Sequence, residues 1–123
     1  MFTASIETTF NAAHQLTFAG GKKEDLHEHN WTVQCVVGAE KLNKIGVVID
    51  FNELMEKLEG ITAPFKGAVL ENLPCFKNKA LNVSAENMAK YIFDSLEPLL
   101  PQDVTLRYVE VEESPGCRAK YNK

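Results

Sequence analysis

Three histidines are the residues of this chain whose types and spacing most directly suggest chemistry. His27 and His29 are two residues apart at the start of an alternating segment, and alternate residues of a strand face the same side. A partner strand that ends at His14 would bring a third imidazole to the same place. Three neutral imidazoles hold Zn²⁺ and leave one tetrahedral position open for water or substrate, as in catalytic zinc sites. The alternative is a fortuitous spacing, with His14 an ordinary buried histidine.

Alternation and capping residues predict the elements that position these histidines. Residues 2–14 and 27–39 alternate in the manner of strands and are separated by a polar loop at 20–25, which indicates an antiparallel pair. Asp50 is a good N-cap for a helix over 51–58, and Gly60 predicts its end.

The second half of the chain predicts a further helix and two more strands. Ser84 can cap a helix in which apolar residues recur at three- and four-residue intervals until Pro98. Residues 104–112 read as a strand, and a turn at 114–116 leads to a last short strand ending near Tyr121. The predicted order is β-β-α-α-β-β, an α+β fold in which two helices cover one face of an antiparallel four-stranded sheet.

Length, charge and cysteine content narrow the class of protein. A chain of 123 residues is expected to form a single domain spanning 1–123. A net charge of −4 argues against a nucleic-acid partner. No apolar run approaches the roughly 20 residues that cross a bilayer, and the N-terminus lacks a signal-peptide pattern. Three cysteines without paired spacing suit a reducing compartment. We therefore expect a cytoplasmic protein without a membrane partner.

The two edges of such a sheet predict self-association. Edge strands present unpaired backbone groups, which proteins usually protect. Joining subunits edge to edge is one solution, and a ring-shaped homo-oligomer is the corresponding expectation.

Four segments, in the right order, resemble the 6-pyruvoyl- and 6-carboxy-tetrahydropterin synthase family. Residues 10–16 resemble its F-x-A-A-H-x-L opening, and residues 26–30 resemble its L-H-G-H signature. Residues 48–54 resemble its I-D-F-x-x-L segment, and residues 113–116 resemble its C-terminal E-T-x segment. The similarity covers essentially the whole chain.

This resemblance implies a tunnelling fold (T-fold), in which subunits join edge to edge into a barrel and assemble as a trimer or hexamer. It implies Zn²⁺ at His14, His27 and His29, and a lyase that acts on 7,8-dihydroneopterin or its triphosphate. Glu113 matches the family carboxylate that grips the amidine edge of the pterin. A carboxylate suits that role because it accepts two parallel hydrogen bonds from a planar N–H pair.

The usual catalytic residues of the family are missing. Its general-base cysteine corresponds to Lys23, and its Asp-His pair corresponds to Lys66 and Gly67. If all three histidines bind metal, none is left as an acid or base. We expect Lys23, Glu24 and Lys66 to carry acid-base or phosphate-binding roles. Glu24 is included because a family branch that cleaves the dihydroneopterin side chain uses a glutamate near this point, although Glu24 is one residue closer to the histidine.

The sequence also allows two other functions. The two lysines can be read as solvated loop residues, and the chain as a non-catalytic descendant that binds zinc or a pterin. A zinc hydrolase acting on an unrelated substrate needs only an open metal site.

Overall fold

The strands of the computed structural model, which describes residues 1–77 and 81–123, form one antiparallel sheet in the order β1-β2-β3-β4. They span Phe2–His14 (β1), His27–Ala39 (β2), Thr105–Ser114 (β3) and Cys117–Tyr121 (β4). The predicted architecture is confirmed. β3 begins one residue later and ends two residues later than predicted, so Glu113 lies within the strand.

The helices are α1 (Phe51–Thr62), the single turn α2 (Pro74–Lys77) and α3 (Ala85–Leu96). The carboxylate of Asp50 accepts from Asn52 N–H at 2.7 Å, which confirms the predicted cap of α1. The predicted end at Gly60 is wrong, because Gly60 does not adopt the positive φ of a helix-ending glycine. α1 continues to the buried Thr62 and ends where Pro64 enters a 3₁₀ turn. The sequence patterns did not predict α2.

α3 confirms the second predicted helix. The Ser84 hydroxyl accepts from Asn87 N–H at 3.1 Å, and a 3₁₀ turn containing Pro98 follows the last residue. Its buried face is formed by Met88, Ala89, Ile92, Phe93 and Leu96. Among the described residues, no helix is long and apolar enough to span a bilayer.

The core lies between the helices and one face of the sheet. Even-numbered residues of β1 and odd-numbered residues of β2 face the helices, as the alternation predicted. Trp31, Val33 and Cys35 on β2 are fully buried, whereas Phe2 at the start of β1 is 47% exposed. Burial becomes more complete toward the end of β1, where His14 is 1% exposed.

β3 is irregular at the end nearest the histidines. Glu112 pairs with Arg118 and Ser114 with Cys117, so Glu113 is an extra residue without a partner on β4. A bulge of this kind re-aims a side chain and bends its strand. Its location next to the histidine end of the sheet makes Glu113 part of the candidate site.

Candidate metal centre

The β1–β2 ladder brings the three histidines together. His14 pairs directly with His27, and Ala12 pairs with His29 two positions back. Because residues two apart on a strand share a face, all three imidazoles project to the same side. One nitrogen from each ring lies within 4.8 Å of the others, which confirms the predicted clustering. His14 is buried, and the other two rings are partly exposed.

Backbone carbonyls determine which ring nitrogen carries the hydrogen in two of the histidines. His14 Nδ1 lies 2.8 Å from Val83 O, and His27 Nδ1 lies 2.8 Å from Asp25 O. A carbonyl oxygen can only accept, so both Nδ1 atoms carry a hydrogen. In the neutral rings the lone pair is therefore on Nε2, and metal-binding histidines are usually oriented in this way.

In the described segments, the Nε2 atoms of the three rings lack hydrogen-bond donors. His14 Nε2 and His27 Nε2 are 2.9 Å apart, and in this tautomer both are acceptors. His29 Nε2 is buried and, among residues 1–77 and 81–123, has no hydrogen-bond partner. Burial lowers the pKa of His29, which favours the neutral form that binds metal. Three converging imidazole nitrogens, of which those of His14 and His27 carry a lone pair, fit Zn²⁺ in a site with an open fourth position.

Trp31 forms the apolar wall behind two of the imidazoles. Its ring centroid is 5.0 Å from that of His14 and 5.7 Å from that of His29, in edge-on arrangements. Its indole N–H donates to Ala12 O at 3.1 Å. The alternation placed Trp31 in the core but did not identify it as a neighbour of the site.

The bulge of β3 directs Glu113 to the histidines. Its Oε1 is 3.2 Å from His14 Nε2, and its Oε2 is 3.9 Å from His29 Nε2. The side chain is 27% exposed, so one side of the carboxylate is open to an incoming molecule. Glu113 is therefore a half-buried anion beside the cluster and not a solvated strand-end acid.

Glu24 is held next to His27. Its backbone N–H donates to Leu16 O at 3.0 Å, and its Oε1 accepts from Leu16 N–H at 3.0 Å. The same Oε1 lies 3.8 Å from His27 Nε2. This double attachment to Leu16 gives the carboxylate a defined position near the nitrogens.

Lys23 and Lys66 differ from the two carboxylates in their exposure and in their contacts. Lys23 is exposed and pairs through its backbone with Thr17 in an isolated bridge. Lys66 is also exposed. Its neighbour Gly67 donates its backbone N–H to Asn11 O, and Asn11 lies about 10 Å along β1 from His14. Within the described part of the chain, no contact joins either ammonium group to a histidine.

Two further acids, Glu28 and Glu71, lie near the histidines in the sequence or in space. Glu28, between the two β2 ligands, is exposed on the opposite face, as its position in the strand predicted. Glu71 accepts from Gln15 N–H at 3.0 Å and from Val83 N–H at 3.4 Å. The sequence interpretation missed Glu71, because its partners are 56 and 12 residues away and no local pattern marks them.

A cleft of about 810 Å³ lies at the opposite end of the sheet. Apolar residues such as Leu42, Ile45 and Val48 line it, together with several acids. Among the described residues, the only group with metal-binding geometry is the histidine cluster. We therefore place the candidate site at the histidine end of the sheet and not at this cleft.

Comparison with known proteins identifies relatives of the whole chain. The family described as 6-pyruvoyl tetrahydropterin synthase matches residues 3–123. The chain is 32% identical over 106 residues to a dihydroneopterin monophosphate aldolase from Pyrococcus furiosus, covering 85% of this chain and 83% of that protein.

Two solved structures share the fold. A Caenorhabditis elegans 6-pyruvoyl tetrahydropterin synthase is 22% identical with a TM-score of 0.83, covering 99% of this chain and 95% of that one. A Plasmodium vivax 6-pyruvoyltetrahydropterin synthase variant is 22% identical with a TM-score of 0.70, covering 98% of both chains. In that variant, alanine replaces a glutamate described as a catalytic residue.

Proposed function

Because this chain belongs to the 6-pyruvoyl tetrahydropterin synthase family, we propose that it is a Zn²⁺-dependent lyase that cleaves the side chain of 7,8-dihydroneopterin or one of its phosphate esters. The convergence of three imidazole nitrogens beside two carboxylates carries the proposal. The aldolase from Pyrococcus furiosus supports side-chain cleavage over triphosphate elimination.

His14, His27 and His29 would hold the metal through Nε2. A bound Zn²⁺ would act as a Lewis acid and acidify a hydroxyl group of the substrate. The carbonyls of Val83 and Asp25 keep the ring hydrogens of His14 and His27 on Nδ1, so these two rings present a lone pair to the metal.

Glu113 would bind the heterocycle. The amidine edge of a pterin offers two parallel N–H groups, and a carboxylate accepts both in a fixed plane. Glu113 is half-buried and lies within 3.9 Å of two histidine rings. An anchored heterocycle would place its side chain over the cluster.

Glu24 is the residue best placed to transfer the proton. In a retro-aldol cleavage, a base takes the hydroxyl proton from the departing carbon, which becomes the carbonyl of the aldehyde as the carbon–carbon bond breaks. The electron pair passes into the conjugated ring system, and a proton then returns to the carbon that stays on the pterin. The Glu24 carboxylate lies 3.8 Å from His27 Nε2, beside the position where that hydroxyl would bind. The catalytic glutamate of the Plasmodium vivax protein supports a carboxylate in this role.

Lys23 and Lys66 are proposed to attract the phosphate of an esterified substrate. Both are exposed, and a flexible ammonium group acts on phosphate as a point charge. Lys23→Ala or Lys66→Ala should raise KM for the phosphorylated substrate and leave KM for 7,8-dihydroneopterin unchanged. Unaltered kinetics with both substrates would remove that lysine from the mechanism.

A trimer or hexamer is proposed as the working assembly. β4 is one edge of the sheet, and β1 is the other. In the described chain, residues 67–69 bond to β1 only near residues 11 and 13, which leaves the rest of that edge for a second subunit. Native mass spectrometry tests the assembly, and a monomer at micromolar concentration would contradict it.

Product analysis tests the function directly. Zinc-loaded protein is incubated anaerobically with 7,8-dihydroneopterin, its monophosphate or its triphosphate, and products are identified by mass spectrometry, with His27→Ala as the control. We expect a 6-hydroxymethyl-7,8-dihydropterin and a two-carbon aldehyde or its phosphate ester. Release of triphosphate would indicate the other family reaction.

The missing cysteine and Asp-His pair favour one alternative, a non-catalytic binding protein. Tight pterin binding without any product would support it, and turnover of simple esters that stops on chelation would support a zinc hydrolase instead.

A further inference from the structure

The carboxylate of Glu71 links the residue that follows His14 to the residue whose carbonyl bonds to the His14 ring. We propose that Glu71 is a positioning residue that holds the His14 imidazole in its metal-binding orientation. The proposal rests on the metal site of the proposed function, but it does not depend on which substrate is cleaved.

The two oxygens of Glu71 bond to two separate segments. Oε1 accepts from the backbone N–H of Gln15 at 3.0 Å, and Oε2 lies 3.4 Å from the backbone N–H of Val83. Gln15 follows His14 in the chain, and Val83 precedes the cap of α3. One side chain thus bridges the end of β1 and the start of the α3 region.

Val83 in turn fixes the ring of His14. Its carbonyl oxygen lies 2.8 Å from His14 Nδ1, so the peptide on either side of Val83 is bonded to Glu71 and to His14. His14 is 1% exposed, which leaves little room for water to replace the Val83 carbonyl. Loss of the Glu71 carboxylate therefore frees both the backbone beside the ring and the group that orients the ring.

A second attachment nearby does not perform the same task. Asn82 makes a reciprocal pair with the backbone of Thr17, at 2.7 and 2.9 Å, and Asn87 bonds to Asn82 O at 2.8 Å. These bonds hold the same two segments together, three residues beyond His14. They should preserve the fold when Glu71 is replaced, while the orientation of His14 is lost.

His27 provides an internal comparison. Its Nδ1 bonds to Asp25 O, only two residues away, and no described contact links this pair to Glu71. If Glu71 acts only on His14, its loss should leave the His27 ring in place. A general loosening of the protein would affect both rings.

The first test is hydrogen exchange at the rings of metal-free protein, measured by ¹⁵N NMR. In Glu71→Ala, we expect exchange of the His14 Nδ1 hydrogen to accelerate by about 10-fold, the effect of losing one supporting hydrogen bond. The Trp31 indole hydrogen, which is bonded to Ala12 O, should keep its rate. Unchanged His14 exchange, or equal acceleration of both hydrogens, would overturn the proposal.

The second test is zinc affinity, measured by competition with a chromophoric chelator. Glu71→Ala should raise the Kd for Zn²⁺ by roughly 10–100-fold, as expected when the partner of a metal ligand is lost. Glu71→Gln keeps one acceptor oxygen and should fall between Glu71→Ala and the unaltered protein. Glu86→Ala, an exposed acid in the first turn of α3, is the matched control and should bind zinc normally.

The outcomes separate this inference from the proposed function. Tight zinc binding by the unaltered protein without any pterin product would refute the proposed function and leave the role of Glu71 intact. Equal zinc affinity in Glu71→Ala and the unaltered protein would refute the role of Glu71, whatever the activity. If the unaltered protein does not bind zinc, the exchange measurement alone decides.

Discussion

The two sides of His14 are built in different ways. On one side, thirteen-residue strands pair without interruption from Phe2 and Ala39 to His14 and His27. On the other side, the connection between α1 and α3 reaches β1 through single backbone bonds, and it reaches the residues just after β1 through the side chains of Glu71 and Asn82.

This difference separates two tasks. A continuous ladder fixes where each ligand residue lies, because the register of one pair determines all the others. Isolated bonds from a distant segment fix how a ring is turned, because each acts on one group only. The site therefore depends on the ladder for its composition and on the connection for its orientation.

The largest expected effect comes from removing a ligand that the ladder supplies. His29→Ala should abolish turnover and weaken zinc binding by more than the roughly 10–100-fold typical of a lost ligand partner. Asn30→Ala, its exposed neighbour on the other face, should leave both unchanged. Isothermal titration with zinc and a turnover assay measure the pair. Normal zinc binding by His29→Ala would contradict the assignment of the site.

Glu24→Gln tests the acid-base role next. Loss of a positioned general base typically lowers kcat by about 10²–10⁴-fold, and Gln keeps the size of the side chain and one acceptor for Leu16 N–H. Zinc affinity should change little. Glu28→Gln, on the opposite face, is the control. A kcat equal in both variants would exclude Glu24 as the base.

Phe65→Ala compares the stability of the connection with that of an exposed position. Phe65 is 1% exposed, and its ring centroid lies 5.6 Å from that of Phe10 and 5.7 Å from that of Phe76. Its loss should lower the free energy of unfolding by about 3–5 kcal/mol, as a large cavity opens. Phe51→Ala, at a position 56% exposed, should cost under about 0.5 kcal/mol. Urea denaturation measures both, and equal losses would contradict this packing.

Ser84→Ala tests the cap that begins α3. Losing the acceptor for Asn87 N–H should lower the free energy of unfolding by about 1 kcal/mol. Ser95→Ala should cost only a few tenths of that, because the Ser95 hydroxyl bonds to a carbonyl already within the helix. Thermal and urea denaturation compare the two serines, and an insensitive Ser84 would show that packing alone determines the helix start.

Cysteine labelling has the smallest expected effect on the molecule. Burial raises the pKa of Cys35 to about 12, so its thiol stays protonated at pH 8.5 and becomes a thiolate only near or above pH 12. Cys117 is exposed. Iodoacetamide should label Cys117 in the folded protein and Cys35 only after unfolding. Rapid labelling of native Cys35, read by mass spectrometry, would show that β2 opens.

The match between pattern and structure is best where contacts are local. Asp50 and Ser84 cap the helices predicted for them, because a cap depends on residues within three positions. Gly60 misled the prediction of where α1 ends, since the burial of Thr62 and Phe65 favours two more helical residues. The sequence patterns could not show that packing.

The sequence by itself determined the alternation of β1 and β2, and with it the common face of His14, His27 and His29, because strand periodicity is a local property. The motifs also identified Glu113 as a candidate. Only the tertiary structure decided that a bulge turns Glu113 toward His14 and that Glu71 bonds to Val83. These facts depend on contacts between residues far apart in the chain, and no local spacing encodes them.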